Sequence, residues 1–363
     1  MKKGLILTIV LSSILSSSFA VLSGSGTEAE PYLIQNLADF NEFRSNFDYR
    51  AEGVYSKLMT DIDLSGQSYT SAIVTGYFYG IFDGNNRTIV NAALTSANGG
   101  LFYYVYGTVK NLQLTGIAFS GNAAAGICGK VDNVSSLIEN CYVQGTLSGF
   151  NVGGITSNNS GTITGCFADC QSSGTSHSGN IAASNYGIIE NCYSSGTLTA
   201  TTDGYFGGLV GYNVEGHISK CYSEVELINE NPTYYHCAFV GRQTGTVRDC
   251  FWNADVNPGL EGYKLSTSDT TATGLTAAQM LVESNFTNAG WDFAGETANG
   301  TDDIWMMPES GTGPVFSWIH NGTYCLNPQS GDVTGDCVVD LADFALMAAN
   351  WLGCGYANQQ LCP

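Results

Sequence analysis

The chain has 363 residues with 45 Gly and 12 Cys, and sets 12 Lys plus Arg against 32 Asp plus Glu for a formal charge of -20. Nucleic acid and anionic lipid head groups are bound through Lys and Arg that neutralise phosphate, so so acidic a balance excludes both as partners. With 44% apolar and only 12% charged residues, the composition supports a packed core rather than a disordered chain.

Residues 1–20 read as an export signal: Lys2 and Lys3, an apolar run from Leu5 to Leu15, then Ser18-Phe19-Ala20 with small residues at the two recognised positions. The apolar run is shorter than the roughly 20 residues a membrane span requires. The mature protein is therefore expected outside the cytoplasm or at the cell surface, without membrane insertion after cleavage, in a compartment that permits disulfides.

Residues 21–98 read as an N-terminal cap and leading coils. Pro31-Tyr32-Leu33-Ile34 predicts a strand, and Asn36 to Arg44 a short helix with Asn36 as N-cap and Leu37, Phe40 and Phe43 on one face. Such a helix covers the open end of a stacked repeat. The stretches Leu58 to Leu64 and Phe78 to Ile89 carry Asp61, Asp63 and Asp83. These acids suit either a calcium or catalytic cluster or simple turns, and Asp beside Gly and Asn favours turns.

Residues 99–253 repeat. A Gly-Gly-apolar block begins at Gly99, Ala125, Gly153, Gly179, Gly207 and Cys237, at spacings of 26, 28, 26, 28 and 30. Each block leads to a turn and a short β-branched strand, then to Cys-aromatic pairs at Cys141-Tyr142, Cys166-Phe167, Cys192-Tyr193, Cys221-Tyr222 and Cys250-Phe251. A unit of about 27 residues with two or three short strands and Gly or Asn corners predicts one coil of a β-solenoid. A propeller blade needs about 40 to 50 residues, which excludes that alternative. Stacking at the strand spacing makes the six units a rod of about 25 to 30 Å. The five Cys in register predict a column of buried thiols, since no Cys-x-x-Cys pair accompanies them. The aromatic ladder beside them is either a flat sugar-stacking platform, if it faces outward, or plain solenoid stacking.

After Trp252 the repeat lapses. Residues 254–320, with a short helix at Thr276 to Glu283 and aromatic strands around Trp291, Trp305 and Phe316 to Trp318, are expected to cap the far end. In residues 321–363, Asp332, Thr334, Asp336, Asp340 and Asp343 stand at loop positions 1, 3, 5, 9 and 12, the arrangement by which a loop wraps calcium. An apolar stripe of Leu341, Phe344, Ala345, Ala348, Trp351 and Leu352 follows, as on a helix. Cys325, Cys337, Cys354 and Cys362 suit two disulfides. Three pairings are open, with Cys337 to Cys354 preferred.

Two resemblances rest on these residues. The Gly207-Gly208-Leu209-Val210-Gly211-Tyr212-Asn213 block with its Gly-x-Ile and Cys-Tyr sequel, the Phe82-Asp83-Gly84-Asn85 turn and the Gly24-Ser25-Gly26-Thr27 start resemble the GLUG repeats of secreted bacterial surface proteins, over roughly residues 24 to 319. That resemblance implies a right-handed parallel β-helix in an adhesion or surface role. Such repeats also occur beside IgA-peptidase modules, but none of His177, His217, His236 or His320 lies in a His-Glu-x-x-His zinc motif. The tail is similar to one half of a dockerin, an EF-hand-like module. It implies calcium held by Asp332, Thr334, Asp336, Asp340, Asp343 and the Val338 carbonyl, and a cohesin-like or other surface protein as partner. The loop departs from the usual pattern at Thr334 and Cys337, and a single loop-helix is present.

The expected function is therefore an exported, non-enzymatic all-β solenoid that contacts polysaccharide or protein and is attached through a calcium-dependent tail. The alternative is a polysaccharide lyase or glycoside hydrolase. A hydrolase needs two carboxylates within about 5 to 9 Å, and Asp169, Glu190, Glu215, Glu224 and Asp249 are read as falling out of register.

Overall fold

The computed structural model describes residues 21–95, 98–229, 235–264, 270–308, 311, 313–318 and 344. The export signal at 1–20, the tail cysteines and the calcium positions Asp332, Thr334, Asp336, Val338, Asp340 and Asp343 lie outside these residues.

Strands stack on their successors in parallel, one coil onto the next, to build a β-solenoid of about nine turns. Ile81–Val90 pairs with Thr108–Ala125, which pairs with Tyr142–Gly153, and the ladder continues through Phe167–Gly174 and Tyr193–Ala200. A second face is a sheet of seven strands, Val74–Phe78, Phe102–Val105, Cys128–Val131, Thr156–Asn159, Ala182–Asn185, Val210–Asn213 and Val240–Gln243, all parallel. Because coils lie in register, each sequence position becomes a column. Phe82, Val109, Ile138, Ile163, Ile189, Ile218 and Val247 form one such column, buried throughout. Each fully buried apolar side chain contributes about 1.5–3 kcal/mol, a gain that no isolated coil obtains.

The corners explain where the cysteines point. Asn140 (φ 49°), Gly165 (62°), Asn191 (48°), Lys220 (50°) and Asp249 (54°) adopt the left-handed conformation immediately before Cys141, Cys166, Cys192, Cys221 and Cys250. Asn and Gly tolerate that conformation best, and the turn it makes directs each following thiol into the core, fully buried. There each thiol donates to the carbonyl two residues back, as Cys166 Sγ does to Thr164 O at 3.3 Å and Cys221 Sγ to Ser219 O at 3.1 Å. Burial pushes the Cys141, Cys166 and Cys221 thiols well above their ordinary pKa. The eight cysteines among the described residues are free thiols.

A second internal column is polar. Asn159, Asn185, Asn213 and Gln243 are fully buried on the seven-stranded sheet's inner side. Asn159 Nδ2 donates to Asn185 Oδ1 at 2.8 Å, Asn185 Nδ2 to Asn213 Oδ1 at 2.8 Å, and Asn213 Nδ2 to Gln243 Oε1 at 2.9 Å. The Asn159 and Asn185 oxygens also accept from Gly161 N and Gly187 N. A buried amide is tolerated when its donors and acceptors are met; the column meets them coil by coil, except at its end, where Gln243 Nε2 is buried without a partner.

The N-terminal end is closed as expected. The helix Leu37–Ser45 starts at Asn36, whose side chain accepts from Ala38 N and Asp39 N, and buries Phe40 and Phe43. Phe43 packs on Phe78 and Phe82, with ring centroids 6.3 and 5.2 Å apart. At the other end the Trp252 ring lies where a Cβ on Gly262 or Gly274 would stand, 2.4 and 2.9 Å away, so those positions admit the plug only as glycine.

Residues 275–318 do more than cap the end. They run along the side of the solenoid, where Leu275, Met280, Phe286, Trp291, Phe293, Trp305 and Phe316 form one cluster with the aromatic ladder Tyr142, Phe167, Tyr193, Tyr222 and Phe251. Of the expected helix at Thr276 to Glu283, Ala277–Met280 is helical behind a Thr276–Gln279 capping box, and a second short helix spans Ser284–Thr287.

Candidate functional site

The structure brings rings together in two outward rows, and treats them differently. The Cys-aromatic ladder stacks ring on ring, with centroids 5.0 Å apart for Tyr142–Phe167, 3.9 Å for Phe167–Tyr193 and 4.9 Å for Tyr193–Tyr222. It does not serve as an open platform, because the strap of residues 275–318 covers it. Trp305 Nε1 donates to Asn191 Oδ1 at 3.3 Å, Trp291 Nε1 to Asp249 O at 2.8 Å, and the Tyr222 hydroxyl to Pro314 O at 2.6 Å.

The second row lies on the outside of the seven-stranded sheet. Tyr77, Tyr104, Lys130, Asn158, Ser184, Tyr212 and Arg242 are register partners in successive strands. Each precedes a buried residue of the inner column, Phe78, Val105, Val131, Asn159, Asn185, Asn213 or Gln243, and side chains alternate across a strand. This row was not singled out from the sequence. It stands three positions after the apolar residue of each Gly-Gly-apolar block, as Tyr104 does after Leu101 and Tyr212 after Leu209, so the repeat does contain the signal.

Rings gather at both ends of the row. At the N-terminal end Tyr77, Tyr79, Tyr103, Tyr104 and Tyr106 form a cluster, with Tyr103 on Tyr104 at 4.1 Å and Tyr79 on Tyr106 at 5.0 Å. Tyr77 is 48% and Tyr79 44% exposed. The Tyr106 hydroxyl donates to Asp132, which also pairs with Lys130, and the Asp132 contact pushes the Tyr106 pKa up to about 12. The hydrogen bond with Tyr103, reinforced by burial, raises Tyr104 to about 12 as well.

At the other end His177 stacks on Tyr205 at 4.8 Å, and Tyr205 meets Tyr212 at 5.1 Å and Tyr235 at 4.8 Å. The Arg242 guanidinium lies 5.1 Å from the Tyr205 ring centre and 4.8 Å from that of Tyr212, and its Nη1 donates to the Tyr205 hydroxyl at 2.7 Å. His177 Nδ1 is 3.2 Å from Ser184 Oγ. Burial, with a smaller push from Arg242, lowers the His177 pKa, so at neutral pH Arg242 is the charge at this end. Between the clusters stand Lys130, Asn158 and Ser184. From Tyr104 to Tyr212 is four strand steps, about 19 Å.

The other sequence candidates fall into structural roles. Asp61 Oδ1 accepts from Thr88 N at 2.8 Å; Asp63 Oδ1 accepts from Ser65 N and Asn91 Nδ2; Asp83 Oδ1 accepts from Asn85 N and Asn111 Nδ2. They tie corners of neighbouring coils. Among the described residues no group of three or more His, Cys, Asp or Glu gathers to hold a metal. Of the acids read as out of register, Glu215 and Asp249 are corner residues with φ 59° and 54°. Asp169 and Glu224 correct that reading. They share the outward row Gln144, Asp169, Ser195, Glu224, Asn253, each three residues after a ladder Cys or, for Asn253, Cys250. They stand two coils apart, about 10 Å at the strand spacing, just beyond the usual carboxylate separation of a glycosidase. Each is held by a neighbour, Asp169 by the Ser195 hydroxyl at 3.0 Å and Glu224 by Asn253 Nδ2 at 3.1 Å. His236 is buried against Phe206 and His177 lies in the ring cluster, neither of them a solvated corner. His217 is exposed beside Thr246.

No family model matches the sequence, and no curated protein matches it. Among solved structures, the chain is similar to a candidate immunoglobulin A1 protease from Bacteroides ovatus, at 20% identity and a TM-score of 0.61 over 81% of this chain and 94% of that one. A protein named IgA1 protease matches at 16% identity and a TM-score of 0.44, over 67% of this chain and 21% of that chain. The first likeness shows a shared β-helical fold.

Proposed function

We propose that this protein is an exported β-solenoid that holds a polysaccharide against the outer face of its seven-stranded sheet, and that the calcium loop at Asp332 to Asp343 attaches it to a surface protein partner. The observation that carries the reading is the open row from Tyr77 to Arg242, with ring clusters at both ends and polar side chains between them. Tyrosine rings offer flat apolar faces with a polar rim, which suits the alternating C–H faces and hydroxyls of sugar rings. Parallel strands fix each side chain on a rigid backbone, so the row is organised before a ligand arrives. An extended chain lying along the solenoid axis meets one row position per coil.

The test is retention of the full-length protein on immobilised polysaccharides, beside the triple variant Tyr77→Ala, Tyr104→Ala, Tyr212→Ala. Loss of retention in the variant supports the reading; equal retention by both, or none by the natural protein, ends it. Attachment is tested with the full chain as bait for secreted and envelope proteins, with calcium and then with chelator. The expected partner is released by chelator and is not captured by an Asp332→Ala, Asp336→Ala variant.

A further inference from the structure

The Arg242 end of the row has a chemistry that a neutral glycan does not use. The chain has 32 acidic residues against 12 basic ones, so counter-ions for a cation are abundant. Lys57, Lys130 and Lys264 pair with Asp83, Asp132 and Glu261. Arg242 pairs with no carboxylate among the described residues. Its guanidinium instead lies against the edge-on pair of Tyr205 and Tyr212 rings and is fixed by the Tyr205 hydroxyl, while its Nε is buried without a hydrogen-bond partner. A guanidinium fixed against rings through Nη1, with Nη2 donating to no described residue, is pre-organised for a planar or tetrahedral oxyanion.

We propose that the row binds an extended glycan along the solenoid axis and recognises an anionic substituent on it, a carboxylate or a sulfate ester, at Arg242. This deepens the function proposed above and rests on it. The His177 and Tyr205 rings flank the anion subsite, with Ser184 one row position before Tyr212. Asn158 and Lys130, the latter paired with Asp132, stand on the row between this subsite and the Tyr104 cluster.

The balance of charge selects the ligand class. A body of -20 repels a polyanion such as nucleic acid or a glutamate-rich peptide. One cation in an aromatic setting suits a polymer with sparse charge and many hydroxyls. The rings gathered beside the guanidinium at Tyr205 and Tyr212 favour the apolar faces of sugar rings over a flexible peptide, whose contacts come from backbone and varied side chains.

The experiment uses full-length protein on an array of matched oligosaccharides, each neutral chain beside counterparts bearing one uronate or one sulfate ester, with a glutamate-rich peptide as a further probe. The natural protein is expected to retain a singly acidic oligosaccharide over its neutral counterpart, and the uronate and sulfate arms identify which anion is read. Arg242→Gln should lower affinity for the acidic member by about tenfold or more, a larger loss than it causes for the neutral member. Arg242→Lys keeps the charge but not the planar guanidinium and should fall between. Tyr104→Ala, five strand steps or about 24 Å from Arg242, should weaken only chains long enough to reach it. A circular-dichroism melt unchanged by each substitution separates lost contact from lost fold. Equal binding of neutral and acidic members with no effect of Arg242→Gln overturns the anion assignment and leaves the polysaccharide reading standing. Absence of any glycan binding overturns both. Preferential binding of the glutamate-rich peptide, sensitive to Arg242→Gln, overturns the inference in favour of an acidic protein partner.

Discussion

Two outward aromatic rows run up the same solenoid and differ in one respect. The row from Tyr142 to Phe251 is covered by the chain's own strap, so its rings are at most 7% exposed. The row from Tyr77 to Arg242 has no such cover among the described residues; its Tyr77 is 48% exposed, while Ser184 in its middle is buried beside His177. Both place aromatic rings one coil apart, continuously in the covered row and at the two ends of the other, where Lys130, Asn158 and Ser184 stand between. What separates them is whether another part of the chain supplies matching apolar surface. A regular array of rings is thus as good a foundation for internal packing as for a ligand, and only the uncovered one is a candidate site.

Trp305→Ala gives the largest expected break of that contrast. Its ring is fully buried and packs on Tyr193, Tyr222, Trp291 and Phe316, so removal should cost about 3–5 kcal/mol in urea unfolding. Hydrogen exchange should show the strap opening first and the coil strands retaining protection. Simultaneous loss in strap and coils would mean that the covered row is part of the solenoid's own core.

Asn185→Ala tests the inner column beneath the open row. It removes the donor to Asn213 Oδ1 and the acceptor of Gly187 N, while Asn159 Nδ2 keeps Gly161 O and Ile188 O, and each unsatisfied buried group costs about 1–3 kcal/mol. Thermal unfolding should shift down accordingly, because the column is what keeps the open face flat without a strap. A negligible shift would show that the amides are solvated or rearranged.

The pH response should be smaller, and the share from the open face comes from His177, beside that of His236, whose pKa burial also lowers. Burial lowers the His177 pKa from its ordinary 6.5, so the unfolded chain takes up a proton more readily than the folded one. That contribution to stability is full above about pH 6.5 and is lost as pH falls through the lower folded value. Its steepest slope is about 1.4 kcal/mol per pH unit for one whole proton. The His177→Gln variant should show a flatter stability profile between neutral and mildly acidic pH; an unchanged profile would remove His177 from the account.

Tyr104→Ala should have the smallest effect on stability, within about 0.5 kcal/mol as for other partly exposed positions away from the core. That near-neutrality, beside the large cost at Trp305, is the sharpest form of the comparison. A cost of several kcal/mol at Tyr104 would mean that the open row is structural after all.

Much of this architecture was legible in the residues. The recurrence of Gly-Gly-apolar blocks, corners and Cys-aromatic pairs sets the coil, and the Asn36 cap with Phe40 and Phe43 sets the lid. The row at Asp169 and Glu224 was also present, three residues beyond the ladder cysteines, but coils of 25 to 29 residues obscure register when acids are compared by spacing alone. The amide column of Asn159, Asn185, Asn213 and Gln243 was overlooked because buried Asn looks like corner Asn until its partners are known.

By itself, then, the sequence determined what is local and periodic: left-handed corners, thiols turned inward behind them, and strands that find identical neighbours one coil away. Only the tertiary structure decided which aromatic row stays open. That choice depends on contacts between residues far apart in the chain, such as Trp305 with Asn191, 114 positions earlier. The strap that makes them lies outside the repeat, and no periodicity encodes where it lands.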